Sequence, residues 1–161
     1  MPLLLAILAA AAAFIWLSGD ALPPVVASHF VAGGAANGFM PRSAYLGMML
    51  AVAVGLPLAQ ALVFGLIRLV PDRFINLPQR DYWLAPERRQ QTLDYLGDQG
   101  NRFAMLLCGF LCFVHWLVLR ANAQQPPQFP EATLFAALPL FVGALVIWIG
   151  AFVRHFLRRP D

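Results

Sequence analysis

The chain has 161 residues, 60% hydrophobic and only 12% charged, with a formal net charge of +3. A soluble domain carries about a quarter charged residues, and half that share cannot cover a water-exposed globule, so the solvent that fits this composition is a bilayer. All eleven basic residues are Arg, clustered beside apolar runs rather than along one soluble face, which speaks against nucleic acid as the reason for the basic balance.

The length allows a single membrane domain over 1–161. Its first apolar run is Pro2 to Leu17, extended to about 19 by Ser18 and Gly19. A cleaved signal peptide is the competing reading. The start has no Lys or Arg for a charged leader region, so an uncleaved helix over 2–19 is expected. The second run, Ser43 to Val70, reaches roughly 42 Å as a helix. That exceeds a hydrocarbon core of about 30 Å, so it should tilt or project. Gly55 and Pro57 should kink it. Ala51, Gly55 and Ala59 make a small-residue row, four apart, that would let another helix approach closely, and Gln60 should face protein rather than lipid. The third and fourth runs are expected over 103–120 and 132–153, with Pro139 inside the fourth. Each run carries a Trp or Tyr near one end, as interfacial anchoring predicts. The fold class expected is therefore all-α and integral to the membrane, with four transmembrane helices.

Orientation is read from Arg. The 71–102 loop holds Arg73, Arg80, Arg88, Arg89 and Arg102, and the tail Arg154, Arg158 and Arg159, whereas the other two loops hold only Arg42 and Arg120. The positive-inside rule places the 71–102 loop and both termini in the cytoplasm. Within that loop Pro86 and Glu87 suit the start of a helix and Gly97 its end. An interfacial helix over about 86–96 is expected. Trp83, Leu84, Leu93 and Leu96 would dip into the membrane surface, with Arg80, Asp81, Tyr82, Arg88 and Arg89 in the headgroup region.

The segment 20–42 then faces outward as a small ordered cap. Pro23-Pro24 forbid helix, "VVASHF" is compatible with a short strand, and Gly33, Gly34 and Gly38 offer positive φ for turns. His29 is expected to tie the cap together through backbone carbonyls, with Phe30, Asn37, Gly38 and Phe39 as its other organising residues. The loop "ANAQQPPQFPE" reads as a stiff, extended lid.

The stretch "LPPVVASHFVAGGAANGFMPR" resembles the signature of a bacterial membrane family, the domain of unknown function 1648. The matching positions are Leu22, Pro23, His29, Phe30, Gly33 or Gly34, Asn37, Gly38 and Phe39. The stretch from Ile75 to Arg89 is similar to a loop of one subgroup. That family includes membrane immunity and signalling proteins that protect bacilli from a secreted sporulation-delaying toxin. The resemblance implies an outward cap on a helical membrane core.

Chemistry-bearing residues are few. Cys108, Cys112 and His115 share one helix face and, with His29 and nearby Met side chains, make a weak soft-metal or haem set. Cys also packs as a small hydrophobe, and no metal site is favoured. Ser28 and His29 are neighbours on a strand and point apart, and no glycine loop leads into a helix bearing Lys. Neither an enzyme nor a cofactor is expected. The function expected is a non-enzymatic immunity- or sensor-type membrane protein whose cap binds a protein partner or secreted peptide. The alternatives are a small accessory subunit of a larger membrane complex, or a metal- or haem-binding membrane protein.

Overall fold

The structure, a computed structural model, describes residues 1–158; Arg159 of the basic tail lies outside the described residues. Among the described residues, four helices are long and apolar enough to cross a membrane. The first is Pro2–Ser18, continued by one 3-10 turn at Gly19–Ala21. A two-stranded antiparallel hairpin follows, β1 (Val25–Phe30) and β2 (Ala36–Pro41). The all-α expectation is thus corrected by this small sheet. β1 falls on the predicted strand, but Asn37-Gly38 lies inside β2 instead of forming a turn. The turn is made by Gly33 and Gly34, at φ 90° and 80°. Gly38 is extended as part of β2, paired with His29, and its missing side chain is required there: the His29 Cβ lies 2.8 Å from where a Gly38 Cβ would be.

The second helix spans Arg42–Leu69 and changes pitch along its length. Arg42–Leu50 and Leu56–Gly65 are α, Ala51–Gly55 is π and Leu66–Leu69 is 3-10. Pro57 lacks an N–H, and its ring would meet the Ala53 carbonyl in a tight α-helix; the wider π turn provides the room. The same turn decides which face is buried. In an α-helix four residues overshoot a turn by about 40°. Tyr45, Met49, Ala53, Pro57 and Ala61 are nevertheless all buried, because the π turn takes that overshoot back. The predicted row of Ala51, Gly55 and Ala59 therefore points outward and is exposed. A Cβ on Gly55 would meet nothing closer than the Leu50 carbonyl at 3.9 Å. The contact row within this chain is Ala53, Pro57 and Ala61.

The third helix is one rod, Arg89–Asn122. The expected break at Gly97 and the separate interfacial helix over 86–96 are both absent; a 3-10 turn at Asp72–Phe74 and a short turn of α-helix, Arg80–Trp83, precede it. A Gly inside a helix costs about 1 kcal/mol against Ala. Gly100 has a packing reason: the Phe64 side chain occupies the space its Cβ would fill. The fourth helix is Glu131–Leu157. It leans on the third through ring contacts, Phe110 on Phe141 at 4.1 Å and Phe103 on Trp148 at 5.2 Å, and through Trp148 Nε1 donating to Gln99 at 2.9 Å. None of its most apolar stretch is buried.

Three apolar clusters run down the molecule. Ile15, Val26, Tyr45 and Val118 underlie the hairpin, Leu4, Leu8, Ala104 and Cys108 fill the middle, and Ile75, Trp83, Leu93 and Phe156 close the Arg-rich end. Met1 and the described end of the fourth helix both lie at that end. Met1 shares a cleft with Arg68 and Asp98, and Trp83 Nε1 donates to the Phe156 carbonyl at 3.0 Å. The hairpin stands at the opposite end.

Candidate functional site

The hairpin is latched to three helix ends by polar groups. The Asn122 amide, at the end of the third helix, accepts from Ala27 N–H at 2.8 Å and donates to the Ala27 carbonyl at 2.9 Å. It thus serves β1 as a one-residue third strand. Arg42 N–H donates to the Pro24 carbonyl at 2.9 Å, and the Arg42 guanidinium donates to the Leu22 carbonyl at 3.1 Å. The glycine turn is gripped by the loop that was expected as a lid. Phe129 N–H donates to the Gly34 carbonyl at 2.8 Å, both Glu131 oxygens accept from Gly33 N–H at 3.1 Å, and the Gln128 amide donates to the Gly33 carbonyl. Phe30 and Phe129 meet ring to ring at 5.1 Å. A Cβ on Gly34 would lie 2.6 Å from the Phe129 carbonyl, so this glycine is required by close approach as well as by φ. The cap is therefore built from both loops at the hairpin end.

Its outward face carries the residues singled out in the sequence. Register slips between Ala27 and His29 and again between His29 and Phe30, one extra residue on each strand. Such bulges re-aim side chains; here His29 and Asn37 are both exposed and meet, Nδ1 to Oδ1 at 2.5 Å. His29 thus ties the strands through a side-chain amide, not through the backbone carbonyls expected. Phe39, 56% exposed, and Val25, 59% exposed, flank this pair. Phe30 turns inward onto Phe129.

Beneath the cap lies the histidine that is fully buried, His115. Its Nδ1 is 2.9 Å from the Tyr45 hydroxyl and its Nε2 2.9 Å from Ser18 Oγ. Ser18 also donates to the Phe14 carbonyl at 2.6 Å. One proton arrangement satisfies every group. The Tyr45 hydroxyl donates to Nδ1, Nε2–H donates to Ser18, and Ser18 donates to Phe14. A neutral imidazole thereby joins the first, second and third helices. Tyr45, expected as an interfacial anchor, is instead a buried member of this chain.

No family model, no curated protein and no solved structure matches this chain.

The remaining sequence-predicted residues are not drawn into one site. Among the described residues no three His, Cys, Asp or Glu side chains come together to hold a metal ion. Both His115 nitrogens are engaged, Cys108 packs against Leu4 and Ala104, and His29 sits on the hairpin surface. At the other end, Trp83, Leu84, Leu93 and Leu96 are buried against Ile75 and Phe156, so they do not dip into a membrane surface. Arg89 pairs with Asp72 at 2.9 Å, Arg80 with Asp81 at 3.2 Å, and Arg88 stacks over the Tyr82 ring at 4.0 Å. Arg88 and Arg89 are thereby held against protein groups, whereas the Arg80 pair with its sequence neighbour is exposed.

Sequence reasoning missed Ser18, Tyr45, Asn122, Gln128 and Glu131. A sequence signal existed for two of them. Asn122 closes an apolar helix where a side-chain amide has loose backbone nearby, and Glu131 opens a helix facing a loop rich in glycine.

Proposed function

We propose that this chain is a non-enzymatic, multi-pass membrane protein of the immunity or sensor type, whose hairpin cap docks a protein partner or secreted peptide. The observation that carries this reading is the cap's outward face. A His29–Asn37 pair and Phe39 are presented on a hairpin whose every anchor lies behind or beside it. A segment that only sealed the bundle would have no need to display a large aromatic beside an exposed polar pair. Rigid support lowers the ordering cost of binding. The local resemblance of residues 20–42 to the domain of unknown function 1648 supports the same reading. So does the Arg distribution, which favours a hairpin outside and both ends in the cytoplasm; the same resemblance makes the membrane a bacterial inner membrane.

Two experiments test this. With a photo-crosslinking residue at Phe39 in the native host, a discrete adduct is expected that disappears in His29→Ala. Adducts to lipid alone, or an adduct indifferent to His29, would refute docking at this face. For orientation, Gln90→Cys should react with an impermeant thiol reagent only after the membrane is opened; labelling of intact cells would reverse the topology.

A second reading, an accessory subunit of a larger membrane complex, is favoured by the fourth helix. Its outer face, with Phe135, Leu140 and Ile147 each more than 60% exposed, offers a full-length surface to a neighbouring helix. Co-purification of one stoichiometric partner in mild detergent, lost in Leu140→Gln, would support it.

A further inference from the structure

We propose that the Arg-rich end holds a specific site for one anionic phospholipid, with the headgroup phosphate on Arg73 and Arg80 and an acyl chain between the second and fourth helices. Two recesses of opposite character adjoin there. One, of about 380 Å³, is lined by Arg73, Asn76, Arg80 and Asp81. The other, of about 360 Å³, is lined by Val63, Ile67, Val70, Leu96 and Phe152. The strip from Phe74 to Leu77 lines both, so a single amphiphile can reach across it.

The polar recess suits a phosphate. Arg73 makes no ion pair among the described residues; its guanidinium carbon lies 4.8 Å from the centre of the exposed Phe74 ring, a ring contact that uses none of its N–H donors. Among the described residues Arg80 pairs only with its neighbour Asp81, at 3.2 Å, and Asp81 is 92% exposed. An exposed pair of adjacent residues holds weakly, so Arg80 can turn to a phosphate. Two guanidiniums against one solvated carboxylate leave the recess cationic, and Asn76 adds an amide donor.

The apolar recess decides between a free phosphate and a lipid. It exists because the fourth helix leans on the third and leaves a gap beside the second. The second helix also tightens to 3-10 at Leu66–Leu69 before Pro71 ends it. A free phosphate has no use for such a groove. An acyl chain gains no hydrophobic energy by moving from bilayer to groove, so the groove contributes shape while the arginines set the preference among headgroups. This site replaces Arg88 and Arg89 as the headgroup contact, since those two are committed to Tyr82 and Asp72.

The test is native mass spectrometry of the full chain released from detergent with phosphatidylglycerol or phosphatidylcholine added. The wild type should retain phosphatidylglycerol about tenfold better. Arg73→Gln/Arg80→Gln should erase that preference, and Arg73→Gln alone, which breaks no ion pair, should reduce it. Arg154→Gln/Arg158→Gln, equal in charge but elsewhere at the same end, should leave it intact. Val63→Trp, filling the groove, should lower retention of both lipids. Matching thermal melts in detergent establish that each variant is folded. Equal retention of the two lipids by the wild type, or equal loss in both double variants, would overturn the proposal. So would displacement of phosphatidylglycerol by millimolar inorganic phosphate with no effect of Val63→Trp.

Discussion

The two ends of this molecule are held by different physics. The hairpin end is fastened by hydrogen bonds between residues far apart in the chain: Asn122 to Ala27, Glu131 to Gly33, His115 to Ser18 and Tyr45. The Arg-rich end also has polar ties, such as Trp83 Nε1 to the Phe156 carbonyl and Arg89 to Asp72, but sets them in a cluster of rings and aliphatic side chains: Trp83 edge-on to Phe156 at 5.4 Å, His155 stacked on Tyr95 at 3.9 Å, Leu93 buried beneath. The difference follows from what each end must join. A hairpin and two loops bring backbone groups that need partners, and polar latches supply them. The loop at the other end is bound chiefly through its apolar side chains, and packing closes it.

The comparison can be broken at either end. The largest effect is expected at the Arg-rich end. Trp83→Ala should cost about 3–5 kcal/mol, read as a lower melting temperature of the whole protein in detergent. A melt unchanged by this substitution would show that the cluster does not hold the helix ends together. His115→Leu comes next, at about 2–3 kcal/mol, because it strands the Tyr45 hydroxyl in an apolar core. His115→Gln should recover part of the loss through one amide hydrogen bond. If Leu and Gln behave alike, the buried hydrogen-bonded chain is not what His115 contributes.

These two sites also mark how far the sequence could be read. The existence of four spans was legible, because apolar runs of that length have few other solutions. β1 and the Gly33-Gly34 turn were legible for local reasons, Pro23-Pro24 before and paired glycines after. What escaped depends on distance along the chain. Nothing near Asn122 says that it will pair with Ala27, and nothing near Ser18 or Tyr45 points to His115. Gly97 read as a helix stop because glycine often is one; the helix runs on through it, and Gly100, three residues later, receives Phe64, a contact only the fold reveals. The Ala51–Gly55–Ala59 row was misplaced for a geometric reason, since a π turn beside Pro57 re-phases the helix and no periodicity rule anticipates it.

Smaller effects sharpen the contrast. His29→Ala should change thermal stability by less than about 0.5 kcal/mol, as an exposed pair would, while abolishing the Phe39 crosslink. A large loss of stability would make His29 a structural latch. Smallest of all is Gly55→Leu. The position faces outward with open space around it, so the melt should shift by no more than a few tenths of a kcal/mol, and toward greater stability, since Leu is the better helix former. A marked loss would place a helix against that row, as in an assembly with a second chain.

The most direct measurement is amide hydrogen exchange of residues 25–41 in the full protein in nanodiscs, wild type against Asn122→Ala. Latching by polar groups predicts protected β1 and β2 amides in the wild type. In the variant, exchange of the Ala27 amide and its neighbours should rise by about 30-fold, equivalent to about 2 kcal/mol of local opening, while the amides around Trp83 and Leu93 stay as protected as before. Unprotected hairpin amides in the wild type, or a hairpin indifferent to the loss of Asn122, would contradict it.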